Sequence, residues 1–126
     1  MEKKFYRCMT CGNMLGVIND SGVTPSCCGQ RMEILAANKT DAATEKHVPV
    51  ITRAGNNVTV KVGSTAHPMT AEHLIQWIIL VQGSVTKRAV LSPGAAPEAV
   101  FTVADANAPV LAYAYCNLHG LWSAGG

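Results

Sequence analysis

Four of the chain's five cysteines fall within its first 28 residues, as Cys8-Met9-Thr10-Cys11-Gly12 and Cys27-Cys28-Gly29. The stretch that carries them has few large apolar side chains and cannot bury enough surface to fold unaided. Chains below about 40 residues ordinarily need a metal or disulfides. An odd cysteine count, crowded at one end, reads as metal ligation more readily than as a disulfide framework. Cys8-x-x-Cys11 places two thiolates on one tight turn, as in rubredoxin-like iron sites and zinc ribbons. Cys27 and Cys28 are adjacent rather than two residues apart, so their side chains diverge, and one ion held by both implies a distorted tetrahedron. Four thiolates suit zinc and iron alike. A structural zinc site and a redox-active Fe(Cys)4 centre both stay open on spacing alone.

The remainder of the chain bounds what this module serves. At 126 residues there is room for one ordinary domain beside it, and a two-domain α/β enzyme is excluded. A net charge of +2 with 6% aromatics provides no basic stripe or stacking platform for nucleic acid. The charged start Met1-Glu2-Lys3-Lys4 runs directly into the first cysteine motif with no apolar leader, so a cytoplasmic location is expected. Leu74 to Val81, the most apolar run, is broken by Gln76 and far shorter than the roughly 20 residues of a membrane helix. Charged residues are only 14% of the chain, against roughly 25% on average. Part of the surface is therefore expected in a subunit contact.

Beyond the polar connector Asn38-Lys39-Thr40-Asp41, short β-rich runs alternate with turn residues. The pattern predicts strands over Val48–Thr52, Val58–Val62, Leu74–Val81, Lys87–Leu91, Ala99–Val103 and Val110–Cys116. Turns are expected at Gly55-Asn56-Asn57, Gly83-Ser84 and Ser92-Pro93-Gly94. Mainly β structure follows: a small rubredoxin-like metal module over 1–37, then an immunoglobulin-like antiparallel sandwich over 38–126.

All four histidines lie in this second part: His47 in Glu45-Lys46-His47-Val48-Pro49, His67 before Pro68, His73 six residues later, and His119 in Cys116-Asn117-Leu118-His119-Gly120. Singly, each histidine reads most simply as a surface or hydrogen-bonded residue, and Cys116 as a small buried hydrophobe. Together they carry more weight, because each stands at a strand end or loop, where one edge of a sandwich can gather them. Cys-x-x-His is also a chelating spacing. Four imidazoles and a thiolate exceed what structural zinc uses. Five donors leave one vacancy on an octahedral ion, which suits ferrous iron acting on a small diatomic. Trp77 and Trp122 read as core aromatics, and Glu45-Lys46, apart from their neighbour His47, as an exposed charged pair.

Glu45-Lys46-His47-Val48-Pro49-Val50, Val62-Gly63-Ser64-x-Ala66-His67-Pro68-Met69 and Tyr115-Cys116-Asn117-Leu118-His119-Gly120-x-Trp122 resemble the signatures of the desulfoferrodoxins, two-iron superoxide reductases. Cys8-x-x-Cys11-Gly12 with Cys27-Cys28-Gly29 looks like their desulforedoxin-type module, in the same order along nearly the whole chain. Leu121, where polar residues or histidine are common, and Ile79, where an acidic residue is common, depart from the pattern without touching a ligand.

The resemblance implies two mononuclear irons. Cys8, Cys11, Cys27 and Cys28 would hold a distorted tetrahedral one. His47, His67, His73 and His119 would ligate the other in one plane, with Cys116 axial. It implies reduction of superoxide to hydrogen peroxide without dioxygen, Glu45 beside the vacant position, and Lys46 attracting the anion. It also implies a rubredoxin-like electron donor and a homodimer. The rival class is a non-enzymatic iron-sulfur electron carrier.

Overall fold

Val58, Val60 and Val62 alternate with Asn57, Thr59 and Lys61, and a strand with that period buries one face. The computed structural model, which describes residues 1–126, follows the pattern: the three valines are buried and Asn57 and Lys61 are exposed. The chain divides into two compact units, Glu2–Ala36 and Ala37–Gly126.

The larger unit begins with one helical turn, α1 (Thr44–His47), followed by β6 (Pro49–Ala54), β7 (Asn57–Val62), β8 (Ile75–Gln82), β9 (Val85–Val90), β10 (Glu98–Thr102), β11 (Leu111–Cys116) and β12 (Gly120–Gly125). These form two antiparallel sheets, ordered β10-β7-β6 and β12-β11-β8-β9. Their inner faces share one core in which Val58, Val60 and Val62 meet Ile78, Leu80, Phe101, Ala112, Ala114 and Cys116. The expected mainly β sandwich is what forms. Two-residue loops close β6–β7 over Gly55-Asn56 and β8–β9 over Gly83-Ser84, pairing Ala54 with Asn57 and Gln82 with Val85. Gly55 takes a φ of +59°, a conformation that the first position of such a hairpin turn demands.

Two features differ from the expected pattern. His47 stands not at the start of a strand but at the end of α1; the turn stops because Val48 precedes Pro49 and is held extended, with ψ 121°. Strand β12, Gly-Leu-Trp-Ser-Ala-Gly, has little intrinsic β preference and forms through its six paired residues on β11.

In the smaller unit, β1 (Phe5–Arg7) lies between β2 (Met14–Gly16) and β5 (Glu33–Ile34), and β3 (Ser26–Cys27) pairs with β4 (Gln30–Arg31). The buried core here is Tyr6, Cys8 and Met32, flanked by Val17 and Cys27. So small a core agrees with a module that depends on its cysteines.

Gly63 packs directly beneath α1. A Cβ there would lie 2.7 Å from the carbonyl oxygen of Glu45 and 2.9 Å from that of Val48, both backbone atoms that cannot rotate away. Gly63→Ala is expected to destabilise the larger unit by about 1–3 kcal/mol through overpacking, read as a lower midpoint in chemical denaturation.

Candidate metal centres

In the smaller unit the Sγ atoms of Cys8, Cys11, Cys27 and Cys28 all lie within 4.8 Å of one another. Cys11 Sγ is 3.6 Å from Cys27 Sγ, which is 3.9 Å from Cys28 Sγ. A disulfide needs about 2.05 Å, whereas a tetrahedral ion with metal–sulfur bonds near 2.3 Å holds its sulfurs about 3.8 Å apart. The spacing is that of metal ligands. Cys8-x-x-Cys11 folds as a knuckle in which the Cys11 N–H donates to Cys8 Sγ at 3.4 Å. The adjacent pair converges because Cys28 takes a left-handed φ of +53°, rare outside glycine. The distortion anticipated from Cys27-Cys28 is therefore absorbed in the backbone, a strain of order 1–3 kcal/mol.

The thiols cannot share the pocket equally as anions. The Cys11 and Thr10 N–H groups bring Cys8 down to about 6, while the neighbouring thiols, Cys11 foremost, push Cys28 up to about 12. A cation at the centre removes that conflict by accepting all four as thiolates.

The second group is built on one rim of the sandwich. α1 delivers His47, the loop between β7 and β8 delivers His67 and His73, and β11 with its following turn delivers Cys116 and His119. The four rings form a closed square: centroids are 4.7 Å apart for His47–His67, 4.6 Å for His67–His73, 5.2 Å for His73–His119 and 4.9 Å for His119–His47. Each ring stands 71–85° to the next. Cys116, fully buried, is grouped with His47, His67 and His73, their donor atoms within 4.8 Å. His119 turns Nδ1 toward Cys116 Sγ at 3.8 Å.

Hydrogen bonding fixes which atoms face the centre. His47 Nδ1 is 2.7 Å from the Ala43 carbonyl and His67 Nδ1 is 2.7 Å from the Pro68 carbonyl. A carbonyl only accepts, so each Nδ1 carries the proton and each Nε2 is a bare lone pair. Those two Nε2 atoms nevertheless stand 3.2 Å apart. Two acceptors at that distance repel unless a cation lies between them, and about 3 Å separates neighbouring nitrogens on an octahedral ion with bonds near 2.1 Å. His73 Nε2 is buried without a hydrogen-bond partner. The donor set thus fits a metal ion.

Trp122, read from sequence as core, stacks on His47 at 4.9 Å and 26°, and its Nε1–H donates to the His119 carbonyl at 3.1 Å. Its place in Cys116-x-x-His119-x-x-Trp122 was the available signal. Trp77, by contrast, is only half-buried and stacks on Tyr115 at 5.7 Å. Glu45 and Lys46 are exposed on α1; the Glu45 carbonyl is held by the Thr65 N–H at 2.8 Å and the Ser64 hydroxyl at 3.3 Å. Leu121 and Ile79 are buried apolar residues.

Burial pushes His67 down to about 4 and also lowers His47 and His73 from their ordinary 6.5. The rings are therefore neutral, the form that ligates. A base whose folded-state pKa is depressed gives stability that is complete above its unfolded pKa and lost as pH falls toward the folded one. Metal-free protein is expected to lose stability between pH 6.5 and about 4, seen as falling midpoints in thermal melts across that range.

Comparison with known proteins agrees with this geometry. Residues 1–35 match the family described as Desulfoferrodoxin, N-terminal domain, and residues 39–125 match Desulfoferrodoxin. A desulfoferrodoxin homolog of Archaeoglobus fulgidus is 48% identical over 120 residues, covering 95% of this chain and 94% of that protein. The crystal structure of the superoxide reductase from Treponema pallidum superposes with a TM-score of 0.80 at 37% identity, over 98% of this chain and 99% of that one. The one-iron superoxide reductase of Giardia intestinalis superposes with a TM-score of 0.59 at 40% identity, over 65% of this chain and 97% of that one. With two cysteine- and histidine-built iron sites in the family's order and the match running almost end to end, the chain belongs to the desulfoferrodoxin family.

Proposed function

We propose that the chain is a superoxide reductase acting at the His4Cys iron, with residues 38–126 as the catalytic domain and residues 1–37 as the Fe(Cys)4 domain. The observation that carries this is the closed square of four imidazoles with the buried Cys116 sulfur beside it. Five side-chain donors on an octahedral ion leave one position for a small ligand. An iron held there would supply the one electron that, with two protons, converts superoxide to hydrogen peroxide.

The protein's own groups do the rest. Lys46 offers an exposed ammonium beside His47 that draws the superoxide anion toward the square. The Lys46 ammonium would also orient water able to deliver the two protons. Cys116, buried in an apolar core, would hold the iron through its sulfur and supply electron density to it. Glu45, on the same exposed turn, would be the group that closes the open position between turnovers. His47, His67, His73 and His119 would hold the catalytic iron together with Cys116, and Cys8, Cys11, Cys27 and Cys28 would hold the second iron. A rubredoxin-like carrier restores the spent electron. Five unbridged cysteines suit a reducing, cytoplasmic setting. Exposed Leu15, Ile18, Val23 and Ile34 on the small unit favour a homodimer.

Reduced protein is expected to consume superoxide with stoichiometric peroxide and no dioxygen, followed by peroxide assay and an oxygen electrode; Cys116→Ser should abolish this, and a mere electron carrier would leave superoxide to disproportionate, with dioxygen evolved and the peroxide yield halved. Lys46→Ala is expected to slow the reaction with superoxide by about tenfold at low salt. Its rate should also lose most of the salt dependence of the parent, measured by rapid mixing across ionic strength.

A further inference from the structure

His73 differs from its neighbours in how it is held. His47 and His67 each anchor one ring nitrogen on a carbonyl, as metal-binding histidines usually do. His73 has no such ring anchor, and its buried Nε2 is unpartnered within the protein. Its aim must come from its backbone.

We propose that Asn117 is the positioning residue that sets His73 against Cys116. The Asn117 Nδ2–H donates to the Glu72 carbonyl at 2.9 Å, and its Oδ1 accepts from the Leu74 N–H at 3.0 Å. One amide therefore grips the residues immediately before and after His73. The Asn117 backbone N–H donates to the Leu74 carbonyl at 3.3 Å. This carries β11–β8 pairing one step past the register Cys116↔Ile75, beyond the bulge at Gln76 where Tyr115 still faces Trp77. Thr70 completes the turn: its Oγ1 accepts from the His73 N–H at 3.1 Å, and its N–H donates to the His73 carbonyl at 3.0 Å. Asn117 is bonded to Cys116 through the chain, so any shift of the sulfur is transmitted rigidly to the imidazole. Two donors that approach the ion from separate loops thereby move as one body. The pair of bonds needs a side-chain amide: Asp lacks the donor for Glu72, Ser is too short to reach both sides, and Leu offers neither bond.

The inference rests on the His4Cys centre proposed above. Its test uses the iron-loaded full chain, with the Fe(Cys)4 absorption as an internal reference. Asn117→Ala is expected to release the His4Cys iron to an excess of an aromatic diimine chelator about 10–100-fold faster. Its thiolate-to-iron charge-transfer band should shift while the Fe(Cys)4 bands stay in place. Asn56→Ala, which removes side-chain bonds to the Val103 and Ala104 carbonyls in the β6–β7 turn, is the matched control and should leave both readouts unchanged. If Asn117→Ala lowers the melting midpoint as Asn56→Ala does but keeps the parent band and release rate, Asn117 is merely structural and the proposal is overturned. Should Asn117→Ala not fold, Asn117→Asp decides: it keeps the acceptor for Leu74 and loses the donor to Glu72, and an unshifted band with unchanged release overturns the proposal equally. Failure of the parent to form stoichiometric peroxide without dioxygen would sink the functional reading while leaving the release and band measurements standing.

Discussion

Donor atoms crowded around a position that a cation would fill are what both units are built around. The bare Nε2 atoms of His47 and His67 face each other at 3.2 Å, and four sulfurs crowd within 4.8 Å in the small unit. Each arrangement is repulsive in isolation and attractive once a cation sits inside it, so folding and metal loading favour each other. The small unit leans on this most, because Tyr6, Cys8 and Met32 are nearly all it buries. In the sandwich the same coupling reaches the core: Cys116 is at once a proposed metal donor and a member of the core cluster that holds Ile75 and Ile78. A change in that packing is thus also a change in the centre's electronics.

The order of the elements explains why so apolar a fold can hold five polar donors. Strands β6, β8 and β12 begin, and β7 and β11 end, on the same rim, so the segments that join them are the ones free to carry histidines. Along β7 and β8 there is no room for such residues, since nearly every inward position is a valine, isoleucine or leucine. Function is confined to a rim because the interior is fully committed to packing.

Much of this could be read from residues alone, and the reason is chemical. Cysteine and histidine are scarce, and their spacing at Cys8-x-x-Cys11 and Cys116-x-x-His119 carries meaning without a fold. Alternation in Asn57–Val62 likewise declares its own strand. Residues whose role depends on long-range geometry were silent. Nothing local distinguishes Asn117 from any turn asparagine, or Gly63 from a loop glycine, until Glu72, Leu74 and Glu45 are brought beside them. Strand β12 was hidden for the same reason, since glycine, serine and alanine acquire a β conformation only when β11 is there to pair with. Cys27-Cys28 announced a conflict but not its resolution, which lies in a backbone angle at Cys28.

The two-residue turns at Gly55-Asn56 and Gly83-Ser84 lie on the rim opposite the histidine square. There the chain closes upon itself through neighbours in sequence, whereas the other rim gathers positions as distant as His47 and His119. The two ends of the sandwich therefore tolerate change differently. Insertions or altered turns at the locally closed end would leave the chemistry untouched, as would the substitution of one hairpin for another. At the gathered end, a single added residue would displace a donor, so variation among relatives has one rim to explore and one to preserve.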